Sequence, residues 1–326
     1  MKTEKSYKHF LITRFNVPLK IYDIGNENAR GISDAYLKKR FDIFEKYCFP
    51  TVKNQTNKNF IWIVILSDKT PDVYKSKMDN LTKQCKELRP FYVNLHNFDS
   101  SEKSYPDFLI KKVEAEYEIM RKTFPDYIPD EYEEIQRFCL PLYMDSILKE
   151  LTPNETEYIL TSRLDNDDGI NSHFIEDIQK RFQKIEDECV LNYLYGYQYE
   201  PSSDILKKWY YTNNHFITLI QKYKKEAFND TIFSWQHGRI FLYRKVFNIV
   251  TKPMWVEYVH DSNVVNSLCF SFKDKLIHFV KDVSEFGPNF PIRTSLKAEF
   301  RCRFSKVFLK DVFNSYKKAI KRKFGH

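Results

Sequence analysis

Glycine is scarce in this chain. The 326 residues contain seven, at Gly25, Gly31, Gly169, Gly196, Gly238, Gly287 and Gly325. No two stand close enough for a GxGxxG turn or a GxxxxGK[ST] loop, which argues against a dinucleotide-binding Rossmann enzyme and a P-loop NTPase. The six cysteines (Cys48, Cys85, Cys139, Cys189, Cys269, Cys302) are scattered without a CxxC pair. That pattern excludes a zinc ribbon or a disulfide scaffold and predicts reduced thiols in a cytoplasmic setting. Long apolar runs are missing as well. Nothing approaches the roughly 18 residues a membrane span needs, and the charged opening MKTEKSYKHF leaves no room for a secretory apolar core.

What is present is ordinary for a folded domain: 42% apolar residues, 29% charged and 17% aromatic. The aromatic content can fill a sizeable core. The length suits one large α/β domain or two smaller ones.

The net charge of +8 has one source. Residues 301–326 hold nine basic side chains and a single acid, Asp311, whereas the preceding 300 residues carry 43 of each sign. A basic surface for nucleic acid is therefore not expected. Within the tail, Phe304, Val307, Phe308, Val312, Tyr316, Ala319, Ile320 and Phe324 recur at steps of three and four. The spacing predicts an amphipathic helix in a C-terminal extension (281–326) following a main domain (1–280). Such a helix can lie on an anionic membrane or dock its apolar face on the domain. The first reading puts the protein peripherally on the inner face of the membrane.

Residues 10–13 read as a short buried strand, and Phe60–Leu66 (FIWIVIL) as a strand buried on both faces. Leu37, Phe41, Phe44 and Cys48 mark a helix between them that Pro50 is expected to stop. Residues 101–137, rich in Lys, Glu and Tyr, read as a solvated helix or an insert. A helix at 140–151, a strand at 158–161, a helix near 174–185 and a strand at 189–193 complete an alternation that predicts a mostly parallel α/β sheet.

The segment TSRLDNDDG (161–169) is the chemically informative one. Three carboxylates fall within four positions at the carboxyl end of a buried strand, the edge where open α/β sheets bind ligands. Carboxylates so close repel unless a cation neutralises them, and Mg²⁺ or Mn²⁺ held by one or two carboxylates plus substrate phosphates fits such a site better than an all-protein cage. A polar turn capping the following helix is the alternative. An EF-hand is excluded, because its first ligand position would be Leu164 and its twelfth Ile175.

These residues resemble a known family. PTVKNQTNKNFIWIVILSDKTPD (50–72) is similar to the first helix-to-strand unit of family 2 glycosyltransferases, with Gln55, Thr56 and Asp68 on the matching positions. The strand running into Asp-x-Asp resembles the metal motif of the GT-A fold. The N-terminal strand ending in Arg14, the Arg-Leu-Asp-Asn-Asp-Asp cluster and the late MWVEYVHDSN resemble the rhamnosyltransferase-like group in particular. Where family 2 enzymes place Asp-Asp-Gly-Ser, this chain has Ser67-Asp68-Lys69-Thr70.

The resemblance implies a GT-A-like, mostly parallel sheet flanked by helices and a metal-assisted transfer of a sugar, rhamnose among the candidates. The donor would be a nucleotide-diphosphate sugar and the acceptor a glycan or lipid-linked hydroxyl. It implies Asp165, Asp167 and His260 as ligands of Mn²⁺ or Mg²⁺. Thr13, Arg14, Asp68, Arg163 and Asp165 would contact the donor, with Arg163 alternatively a neutralising partner of the acids and Asp68 alternatively a helix cap. Glu257, His260 and Asp261 are the candidates for the catalytic base, His237 a weaker one, and Trp255 a platform for the acceptor sugar. A sugar-phosphate nucleotidyltransferase and a non-enzymatic adaptor acting through the basic tail are the competing readings; the first normally needs a Gly-rich loop where Phe15-Asn16-Val17-Pro18 stands.

Overall fold

A computed structural model describes residues 4–17, 30–94, 105–128, 138–202, 205–260, 283–287 and 306–324. The first strand, β1 (Tyr7–Arg14), is followed by α1 (Asp34–Ile43), a π-helical turn (Phe44–Cys48) and α2 (Phe49–Lys53). The helix thus runs past Pro50, contrary to expectation. The π-turn shifts the hydrogen-bond register, so proline sits in the first turn of α2, where a missing N–H costs little.

Next come β2 (Ile61–Ser67), α3 (Asp72–Gln84), β3 (Leu88–Val93), α4 (Asp107–Thr123) and α5 (Leu140–Leu151). After them follow β4 (Tyr158–Arg163), the two-residue β5 (Gly169–Ile170), α6 (Phe174–Phe182), β6 (Cys189–Tyr193), β7 (Tyr195–Glu200), β8 (Ile205–Tyr210) and β9 (Ile217–Lys222). The strands β10 (Val246–Ile249) and β11 (Trp255–Tyr258) and the final helix α7 (Lys306–Phe324) complete the described strands and α-helices.

The main sheet has the order β10-β6-β9-β4-β1-β2-β3. All its pairings are parallel except those of β9, which runs antiparallel to both β4 and β6. A smaller sheet, β5-β11-β7-β8, adjoins the end of β4 and was not legible in the sequence. The architecture is the expected mostly parallel sheet covered by helices on both faces.

The alternation along β2 shows how the two layers arise. Trp62, Val64 and Leu66 point into one apolar cluster with α1, α3 and α6 (Leu37, Phe41, Met78, Phe174, Ile178). Ile63 and Ile65 point into the other, with Met144, Ile147 and Leu148 of α5 and with Trp235. A strand of period two that is apolar at every position must be covered on both sides, and each such side chain contributes roughly 1.5–3 kcal/mol by leaving water.

The stretch read as solvated contains α4, whose Lys112 and Glu116 tie it to the body. Glu116 accepts a hydrogen bond from the Trp235 indole at 2.9 Å, and Lys112 pairs with Asp230 at 3.0 Å. Val283 and Phe286 join a third cluster with Tyr47, Tyr199, Leu206, Val256 and Tyr258. Residues 283–287 are therefore seated on the body, beyond the boundary expected at 280. Gly287 adopts φ 117°, a conformation L side chains rarely adopt, so the backbone there requires glycine.

Candidate active site

Parallel pairing sets β1, β2 and β4 with their carboxyl ends at one edge. Arg14 stands opposite Ile65, and Arg163 opposite Ile12. The acidic turn leaves β4 at this edge and is held from several sides. Leu164 is fully buried, the Asn166 amide donates to the Phe15 carbonyl at 2.8 Å, and the Ile170 N–H donates to Thr51 Oγ1 at 3.2 Å. Gln55 donates to the carbonyl oxygens of Thr51 (3.0 Å) and Asn171 (2.8 Å) and accepts from the Ile175 N–H. The Thr56 N–H donates to the Ser172 carbonyl at 2.8 Å. The Gln-Thr pair thus fastens α2 to the chain just beyond the acids.

The three carboxylates meet three different partners. Asp165 is gripped by Arg163 through two bonds, Nε to Oδ1 at 3.0 Å and Nη2 to Oδ2 at 2.9 Å. Asp167 takes a hydrogen bond from Arg40 Nη1 at 3.0 Å and lies 3.2 Å from His260 Nε2. Asp168 is buried; its Oδ1 accepts from the Tyr258 N–H at 3.0 Å and its Oδ2 shares a 2.6 Å hydrogen bond with His215 Nε2.

Their proton affinities diverge accordingly. Burial raises the pKa of Asp165, but the Arg163 charge and its hydrogen bonds, with His215 and Arg14, outweigh it and hold the carboxyl below its usual range. Burial likewise works against Asp167, and the His260 contact and the Arg40 charge reverse it. Asp168 goes the other way. Burial, then the neighbouring charges of Asp167, Glu257 and Asp165, push it well above an ordinary carboxyl. Burial also depresses His215, so this pair is driven towards neutrality.

His215 reaches the site because β9 runs antiparallel, so its first residues lie where β4 ends. Asn214 fixes that approach: its amide donates to Tyr211 O (2.7 Å), Tyr193 O (2.9 Å) and Asn192 Oδ1 (2.9 Å). Ligand atoms of Asp165, Asp168 and His215 all fall within 4.8 Å of one another, the group among the described residues that could hold a metal ion. Around them, the guanidinium carbons of Arg14 and Arg163 lie over the Phe233 ring at 4.7 and 5.2 Å. Arg163 Nη1 also donates to His237 Nδ1 at 3.2 Å. Burial, followed by the Arg163 charge, holds the His237 imidazole down at about 2.

Several expected site residues stand elsewhere. Thr13 is a correction: it is fully buried and its hydroxyl accepts from the Trp62 indole at 2.9 Å, so its side chain serves the core. Trp255 is another. Its ring stacks on Phe216 (4.7 Å, 7°), lies against Gly196, and donates to the Tyr193 carbonyl at 2.7 Å, which leaves no face for a sugar. Of the expected metal set, Asp165 falls in the Asp165–Asp168–His215 group, whereas Asp167 pairs with His260 and with Arg40.

Glu257 is buried and accepts from the Gln198 amide at 2.7 Å. Asp68 follows β2 at the same edge; α3 starts four residues later behind Pro71 without a side-chain cap, so Asp68 is not its N-cap. Asp261 lies outside the described residues. Arg40 and His215 were not foreseen. Each meets the acids from far along the chain, and neither carries a local spacing signal.

A family model described as "Putative rhamnosyl transferase" matches residues 8–105 and 136–270, well over half of the chain. The chain belongs to that family. The rhamnosyl transferase match spans every acid of the turn together with Arg14, Arg40, His215 and His260, and it omits 106–135, the stretch that carries α4. Among solved structures, the chain is similar to S. aureus TarS 1-349, with 9% identity and a TM-score of 0.36 over 77% of this chain. It spans 60% of the length of that TarS chain. No curated protein matches.

Proposed function

We propose that this member of the rhamnosyl transferase family moves a sugar from a nucleotide-diphosphate donor to a hydroxyl of a glycan or lipid-linked acceptor. The observation that carries the reading is the convergence of Asp165, Asp168 and His215 at the carboxyl edge of a mostly parallel sheet. The donor set fits a divalent cation. Two carboxylates and an imidazole suit Mn²⁺, and Mg²⁺ less well because of the nitrogen. The crowded, buried Asp168 carboxyl is the group such a charge would relieve.

When bound, the cation would act as a Lewis acid towards the pyrophosphate of the donor, whose charge grows as the anomeric bond breaks. The protein's own groups do the rest. Arg14 and Arg163 bring two guanidiniums to one ring at this edge and suit bidentate contact with phosphate oxygens. Asp68, at the end of β2, accepts hydrogen bonds from the ribose or the base. His260, oriented through Asp167, takes the acceptor proton, as an imidazole held by a carboxylate does in other base dyads. Glu257, fixed by Gln198, adds negative charge beneath Asp168.

A thermal-shift screen of nucleoside diphosphates and their sugars, rhamnose conjugates first, with and without Mn²⁺, tests the assignment. A ligand at a hundred times its Kd stabilises the fold by about 2.7 kcal/mol. The reading requires at least one nucleotide whose shift grows with Mn²⁺. Absence of any shift across the panel contradicts it.

A further inference from the structure

The final helix presents an apolar stripe to solvent. Along α7, Phe308 is buried at 9% exposure, whereas Leu309 (55%), Phe313 (56%), Tyr316 (54%) and Ile320 (41%) are exposed. Their spacing of four, three and four places them on one side of an α-helix. The helix holds seven basic residues (Lys306, Lys310, Lys317, Lys318, Lys321, Arg322, Lys323) against Asp311. Lys310 and Lys317 are exposed, and the Lys317 ammonium lies 4.5 Å from the Phe313 ring centre. A basic rim beside an apolar stripe is the arrangement in which lysine stems follow the stripe and their heads reach out to charge.

We infer that α7 is a peripheral anchor for an anionic lipid surface. The stripe and the charge have to be satisfied together, and this decides among occupants. Phe308 is buried and Val312 half-buried, so the helix is covered on that face, but the Leu309–Ile320 side stays exposed and docking on the body leaves it unsatisfied. A second copy of the helix brings the same positive charge and repels. A nucleic acid takes the lysines and leaves Leu309, Phe313 and Ile320 in water. An anionic bilayer takes both, with the apolar face entering the headgroup boundary and the basic rim facing lipid phosphates. The helix does not cross: among the described residues no helix is long and apolar enough to span a membrane.

The test is co-sedimentation of the full chain with phosphatidylcholine vesicles, with and without phosphatidylglycerol, read without any sugar donor. Binding is expected only where phosphatidylglycerol is present, and to fall as salt is raised. Lys310→Gln with Lys317→Gln should weaken it about 25-fold, near fivefold per charge. Phe313→Ser with Ile320→Ser should weaken it at least about tenfold. Because both side chains are exposed, that second variant should keep the wild-type melting temperature, so loss of binding is not loss of fold. Equal binding to neutral vesicles overturns the inference, as does sedimentation with neither. Binding untouched by the Phe313 and Ile320 changes, or abolished by free glycerol phosphate, reduces the helix to a charge or phosphate site and overturns it too.

Discussion

The Asp168 carboxyl and the His215 imidazole share a 2.6 Å hydrogen bond across 47 residues, in a setting that disfavours charge on both. His215 is therefore part of the acidic turn's structure as well as a candidate ligand. Replacing it with Ala leaves a buried carboxyl oxygen without its partner, at a cost of about 1–3 kcal/mol. His215→Gln, which keeps a hydrogen-bonding group, should recover part of that in urea unfolding while remaining a poor metal ligand. Equal stability of wild type and His215→Ala would show that the pair carries no structural weight.

Arg40 should matter more to the fold than its place on a helix face suggests. It reaches Asp167 at 3.0 Å and also bonds Asn166, and the Arg40 and Asp167 side chains are only 14% and 13% exposed. Stranding a charge this buried typically costs about 3–5 kcal/mol, and here the His260 contact with Asp167 remains. Arg40→Ala should therefore lower unfolding stability by about 1–3 kcal/mol, and Arg40→Lys by less, since it keeps the charge although a point charge cannot bridge both side chains. A change under about 0.5 kcal/mol, the range of ordinary surface substitutions, would contradict the bridging role.

His9 supplies a pH dependence away from the acids. It is buried, shares hydrogen bonds with Ser162 (2.8 Å) and Gln179 (3.2 Å), and burial lowers its pKa to about 3. The folded state therefore binds the proton more weakly than the unfolded state, whose imidazole titrates near 6.5. The stabilisation is complete above pH 6.5 and is lost as pH falls from there towards 3. Between pH 7 and pH 5 this group alone should remove about 2 kcal/mol of stability, and His9→Gln should flatten the profile by that amount. An identical profile for the variant would show that His9 does not titrate differently in the two states.

Trp255 offers a test of core against sugar platform. A Cβ at Gly196 would come within 2.0 Å of the indole, so Gly196→Ala must displace the ring or the strand. Overpacking of that kind costs about 1–3 kcal/mol, and Trp255→Ala about 3–5 kcal/mol. Trp255→Phe should lower the melting temperature and leave the acceptor KM unchanged. A raised KM with unchanged melting would restore the sugar-binding role.

The sequence carried the parts of this architecture that depend on local pattern. The unbroken apolar run of β2 announced a strand covered on both faces, and the acids were expected after β4, at the carboxyl end of a buried strand, where they stand. Direction was not legible. Nothing in ITLIQK distinguishes an antiparallel β9 from a parallel one, yet that reversal is what delivers His215 to Asp168. Nor does composition reveal which of three neighbouring acids turns inward. Asp167 and Asp168 differ by one position, and the backbone turns one to Arg40 and the other to His215. Thr13 and Trp255 were misplaced for a related reason: successive side chains along a strand alternate between the two faces of the sheet, and both of these lie on a face that is buried.

The central claim is a donor sugar transferred at the Asp165–Asp168–His215 group with help from a divalent cation. Its most direct test is the release of nucleoside diphosphate from a nucleotide-sugar panel by the full chain, with added Mn²⁺ and with chelator, in wild type and His215→Ala. The folded fraction of each is checked by circular dichroism. The account predicts Mn²⁺-dependent release by wild type, abolished by chelator and reduced at least about a hundredfold in the folded variant. Release that proceeds equally in chelator, or that His215→Ala leaves at the wild-type rate, would contradict it.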